Sequence, residues 1–135
     1  MAIDIKSRES KIGNQPSEVW VLPAALRQLE ESGEGPLVDE LIAMFEEDTV
    51  ERLAVLSRAL ETADYLTARQ ESHTIKGSSL QVGAVRVAEV CLRMELELHK
   101  PQPEGMVPLF QALLLSFEEF RGLMAARRGP AADGS

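Results

Sequence analysis

Apolar side chains return every third or fourth residue along nearly all of this 135-residue chain, and β-branched alternation never runs for five residues. A spacing near 3.6 gives a helix one dry face, whereas a strand needs a spacing of two. The chain therefore reads as all-α. Val19, Trp20, Leu22, Leu26 and Leu29 suggest a short first helix with Pro23 near its first turn, stopped by the segment from Ser32 to Pro36. Gly35 and Pro36 open a long second helix with the stripe Leu37, Leu41, Phe45, Thr49, Leu53, Leu56 and Leu60, ending near Glu61 to Asp64. A third helix is expected over about 64–82, and a fourth runs to about Leu98 with Ala84, Val87, Cys91, Met94 and Leu98 inward. The last, over about 106–127, has Phe110, Leu113, Phe117, Phe120 and Met124 on one face. Short connections make successive helices antiparallel neighbours, so the expected fold is an antiparallel four-helix bundle within residues 18–127, capped at one end by the short N-terminal helix. Residues 1–17 and 128–135 are polar or broken by Gly and Pro, and are expected to be flexible tails.

One domain of this length leaves no room for a nucleotide-binding kinase core, and neither a Gly-rich phosphate loop nor GxxxxGK[ST] is present. The chain is not expected to be an enzyme with its own ATP site. At 44% apolar and 27% charged it can bury a core without disulfides or structural metals. Fourteen basic against 22 acidic residues give a net charge of −8, which argues against nucleic acid or an anionic membrane as partner. Proteins are the expected partners. The lone Cys91 cannot close an internal disulfide and falls on an inner stripe, where it reads as a small core residue. No stretch is apolar enough to span a membrane, and residues 1–12 lack the apolar run of a secretory signal. A cytoplasmic location is the expectation.

The third helix carries two faces. Tyr65, Ala68, Ser72, Ile75, Ser79 and Val82 form the inner one, whereas Leu66, Arg69, Gln70, His73, Lys76, Gly77 and Leu80 point away from it. A glycine inside a helix costs about 1 kcal/mol relative to alanine, so Gly77 one turn beyond His73 calls for a compensating use. It removes bulk where another protein's backbone must come close to reach the imidazole. Imidazole, with an ordinary pKa of about 6.5, is a competent nucleophile near neutral pH. Lys76, one turn from His73, can reach a negative group carried on the ring, and a phosphoryl group suits that arrangement. Leu66 and Leu80, seven residues to either side of His73, make a docking strip with Arg69 and Gln70 between them. Ser78 and Ser79 read as small packing residues, since no histidine is spaced to serve them as a base. Glu95 and His99 could share a metal, but two histidines 26 residues apart do not make the paired motifs of a bundle metal site, and no metal is expected.

The run SHTIKGSSLQVGAVRVAEVCLRME, from Ser72 to Glu95, resembles the histidine-containing phosphotransfer (HPt) domain of two-component phosphorelays. Weaker likeness, including the helix LVDELIAMFEEDTVERLAVLSRAL, extends over roughly residues 20–125. The resemblance implies that His73 accepts a phosphoryl group from a receiver-domain aspartate and returns it to another. It further implies that Lys76 stabilises the phosphoryl charge, that Gly77 admits the receiver, and that Gly83 marks the turn between the two central helices. Ser72 stands where the family more often has alanine, and Val87 where leucine is common. The Gly-Ser-Ser after Lys76 looks more like the relay type than the chemotaxis-kinase type. The implied partners are receiver domains of a hybrid sensor kinase and of a response regulator. Any Mg2+ would belong to the receiver, with no cofactor of the chain's own, and a monomer suffices. The competing reading is a helical module that binds and regulates a receiver domain or kinase without being phosphorylated.

Overall fold

The computed structural model describes residues 18–129. The tail expected over 1–17 lies outside them, as do residues 130–135 of the one expected over 128–135; Arg128 belongs to the last helix. Five helices occur in the order α1 (Ala24–Glu31), α2 (Gly35–Glu61), α3 (Tyr65–Val82), α4 (Val85–Leu98) and α5 (Met106–Arg128), and no strand is present among the described residues. Successive helices from α2 to α5 pack side by side, α2 meets α5 to close the ring, and α1 lies on α2. The all-α bundle with a short N-terminal cap is therefore the architecture.

Local chemistry sets the boundaries. Pro36 occupies the first turn of α2, where a missing N–H costs nothing. At the start of α3 the Asp64 carboxylate accepts from the Thr67 N–H at 3.2 Å, which satisfies one orphan donor of that helix end. Core packing centres on Phe45, whose ring meets those of Phe117 and Phe120 edge-on at 6.2 and 5.4 Å.

Three expectations need correction. Val19 to Leu22 are not helical; α1 starts only at Ala24, with Pro23 as its N-cap. Proline holds the preceding residue extended, and the freed segment forms a strap instead. The Trp20 indole N–H donates to the Val82 carbonyl at 2.9 Å, and the Val21 N–H donates to the Gly83 carbonyl at 2.9 Å. On α2 the buried line is Val38, Ile42, Phe45, Thr49, Leu53, Leu56 and Ala59, whereas Leu37 is exposed and Leu41 and Leu60 are half-buried. Where two adjacent stripes are both apolar, periodicity alone does not choose the centre. Phe110 and Tyr65 are likewise only half-buried, at the rim of the core.

Arg127 ties the capped end together. Its guanidinium pairs with Glu30 of α1 and Asp39 of α2, and lies 5.7 Å from the centre of the Trp20 ring.

Candidate functional site

The turn at Gly83 folds α4 back along α3. His73 lies ten residues before that glycine and Glu95 twelve after it, so the antiparallel register brings the two together. The His73 Nδ1 sits 2.8 Å from Glu95 Oε2, and the Lys76 Nζ sits 2.6 Å from Glu95 Oε1. One carboxylate thus holds both residues of the α3 face. A carboxylate can only accept, so the imidazole proton resides on Nδ1 and the lone pair on Nε2. The His73 side chain is 72% exposed, against 24% for Lys76 and 14% for Glu95. The nucleophilic nitrogen is therefore presented to solvent, on a ring whose orientation is set from inside.

Burial by itself would raise the Glu95 carboxyl, but hydrogen bonds from Lys76 and His73, with the charges behind them, hold it below its ordinary value of 4.5. A carboxyl lowered on folding stabilises the fold at pH above its unfolded value, and that contribution disappears as pH falls through the lowered folded value. Glu95→Ala is accordingly expected to cost about 1 kcal/mol at pH 7. Urea titrations of both proteins, at pH 7 and at a pH below the lowered Glu95 value, should show the gap narrowing as the wild-type carboxyl is protonated. A gap of equal size at both pH values would contradict the ion-pair account.

His73, Lys76 and Gly77 come together on one patch, with a difference for Lys76. Though on the outward face of α3, its side chain is three-quarters covered and paired with Glu95. Gly77 has nothing within 4 Å of where a Cβ would stand, so no packing contact within the fold requires a glycine there. Leu66 and Leu80 are exposed, at 59% and 55%, as is Gln70. Arg69 is half-buried, with its Nη1 reaching the Leu98 carbonyl at the end of α4 across 3.4 Å. Glu95 and His99 do not face a common ligand; His99 Nδ1 lies 2.7 Å from the Glu95 backbone carbonyl, while the Glu95 side chain serves α3. Among the described residues no group of three or more His, Cys, Asp or Glu could hold a metal ion. Cys91 is fully buried, and burial pushes its thiol up to about 12, leaving it unreactive.

Glu95 is the site residue that sequence reasoning set aside. The signal was available in part: counting outward from the Gly83 turn of a helical hairpin brings His73, ten residues before it, to the level of the α4 turn that holds Glu95, twelve after it.

Fold and site define a helical bundle that offers a buttressed, outward-facing histidine to whatever docks on α3 and α4. A family model described as "Hpt domain" matches residues 40–125, and the chain belongs to that family. It is 29% identical over 99 residues to histidine-containing phosphotransfer protein 2 of Arabidopsis thaliana, covering 71% of this chain and 64% of that one. With histidine-containing phosphotransfer protein 5 of the same plant it shares 36% identity over 70 residues, 50% of this chain and 45% of that one. The chain thus spans less than two thirds of the length of these plant relatives. Its fold is similar to the crystal structure of histidine-containing phosphotransfer protein B from Pseudomonas aeruginosa PAO1, with a TM-score of 0.73 and 26% identity over 84% of this chain and 96% of that one.

Proposed function

We propose that this protein is a phosphorelay carrier that takes a phosphoryl group onto Nε2 of His73 from a receiver-domain aspartate and passes it to a second receiver. The observation that carries this reading is the 2.8 Å contact between Nδ1 and Glu95, which leaves an exposed Nε2 with a free lone pair. In the transfer the Nε2 lone pair forms the N–P bond as the O–P bond of the aspartyl phosphate breaks, and the aspartate leaves as its carboxylate. The Nδ1 proton stays on the ring, where Glu95 offsets the positive charge that the ring acquires. Onward transfer reverses these steps on another aspartate.

Lys76 is the cation within reach of the new phosphoryl oxygens, and it must share its ammonium between them and Glu95. The reaction's Mg2+ sits on the receiver in this reading, the carrier brings no ATP site of its own, and a cytoplasmic monomer serves. No helix among the described residues is long and apolar enough to cross a membrane.

The reading is tested by incubating the protein with Mg2+ and receiver domains charged from radiolabelled acetyl phosphate. Acid-labile, base-stable label on the wild-type protein supports it; stable binding without label would favour a docking module that is not phosphorylated. Gly77→Gln sharpens the test. With open space at its Cβ position, the substitution should raise helix stability by about 0.5–1 kcal/mol yet slow receiver-dependent labelling about tenfold or more, by holding the aspartate away from Nε2. An unchanged rate would remove close approach as the reason for a glycine there.

A further inference from the structure

The seam between α2 and α5 is closed at the capped end and open at the other. At 100° per residue, Asp39, Leu53 and Ser57 fall within about 40° of one another, along the line of α2 that faces α5. Asp39 reaches Arg127 of α5, and Leu53 lies in the core. Ser57 is too short to close the gap that follows. Between the last turns of α2 and the first turns of α5 there remains a hollow of about 420 Å³. Its apolar lining comes from Leu60 of α2 and from Met106, Val107, Phe110 and Leu114 of α5. The hollow also accounts for Phe110, which stays half-buried on an otherwise buried stripe because nothing on α2 covers its ring.

Ser57, Glu61 and Gln111 complete the wall. None of these three side chains has a hydrogen bond or an ion pair with another described residue. The lining thus carries one full charge, the exposed Glu61 carboxylate, and it is negative. Arg58, the basic residue of the same last turn of α2, lies 60° further round the helix from Glu61 and does not line the hollow. An apolar hollow within the usual range of about 300–1,000 Å³, with a few convergent polar groups at its wall, has the form of a small-molecule site.

We infer that this hollow binds a small organic cation with an apolar body, of the arylalkylamine class. The body packs against Leu60, Met106, Phe110 and Leu114. The ammonium pairs with Glu61 and donates to the Ser57 hydroxyl or the Gln111 side-chain carbonyl, which a carboxylate head in the same place could not do. No lining residue belongs to α3 or α4, so the occupied protein still presents His73. The inference stands independently of the carrier reading.

Phenylbutylamine, phenylbutanol and phenylbutyrate share one skeleton and differ in the charge of the head, so amide NMR titrations with the three separate burial from charge. The amine should shift the resonances of Ser57, Glu61, Gln111 and Leu114 saturably and leave those of His73 and Gly77 in place. It should bind about threefold or more tighter than the alcohol, and the carboxylate more weakly than either. In Glu61→Gln the amine should lose its advantage over the alcohol while the alcohol binds as before. Ser57→Phe fills the hollow and should weaken all three about tenfold or more; Ser57→Leu, a smaller filling, guards against a misfolded variant and should weaken them less. No saturable shift with the amine, shifts centred elsewhere, or unchanged affinity in both Ser57 variants would overturn the site. Tightest binding by the carboxylate, or an amine preference that survives Glu61→Gln, would overturn the assigned charge. Sedimentation of the free protein that rises with its concentration and ceases to do so in Ser57→Phe would give the hollow to a second copy of the chain, and would overturn the proposal as well.

Discussion

His73→Gln is expected to carry no phosphoryl group from phosphoramidate or from a receiver, while unfolding within about 0.5 kcal/mol of the wild type. The two halves of that expectation rest on different observations. Loss of labelling follows because the lone pair of an amide nitrogen is delocalised into its carbonyl and does not attack phosphorus, and no other imidazole stands in this site. Retained stability follows because the His73 side chain is 72% exposed, and a glutamine amide can still donate toward Glu95. Label counting and urea denaturation report the two halves separately. Residual label would put the phosphoryl group elsewhere, and a large loss of stability would contradict an outward-facing ring.

Gly83→Ala is expected to have the largest effect on the fold, about 3 kcal/mol or more, from two causes acting at one atom. The residue sits at φ +83°, a left-handed conformation that costs a non-glycine residue roughly 1–2 kcal/mol. An added Cβ would also collide with the Val21 carbonyl oxygen and lie 2.9 Å from the Pro23 Cδ. The first of these neighbours is backbone, so relief requires the strap to lift. Lifting it breaks the bonds from the Trp20 indole to Val82 and from the Val21 N–H to Gly83, and moves the ring away from Arg127. A fall in Tm on the order of 10 °C should be accompanied by a red shift of the emission of Trp20, the chain's single tryptophan. Unchanged emission with unchanged Tm would show that the strap is not fastened at Gly83.

How legible these features were in the sequence depends on their range. The helices and their turns are local matters of period, proline and capping, and α2 to α5 lie where spacing puts them. The strap was not legible, because Trp20 and Val82 are 62 residues apart and the apolar residues before Pro23 continue a helical spacing without being helical. Which of two apolar stripes on α2 faces inward was decided by α1, α3 and α5, so Leu37 and Leu41 were favoured over Val38 and Ile42. At the site, His73, Lys76 and Gly77 were visible because they share one helix. Glu95 joins them only through the hairpin register, which also pairs it with Lys76. The bond from Arg69 to the Leu98 carbonyl was hidden for the same reason, since that carbonyl lies on α4.

The most direct test of the central claim is a two-receiver chase. One receiver domain, charged with radiolabelled phosphate and Mg2+, is mixed with this protein, and a second, uncharged receiver is added afterwards. The carrier account predicts acid-labile, base-stable label that appears on the wild-type chain at His73, then declines as label rises on the second receiver, with neither event in His73→Gln. Label that reaches the second receiver equally well through His73→Gln, or wild-type protein that binds the first receiver and never becomes labelled, would contradict it.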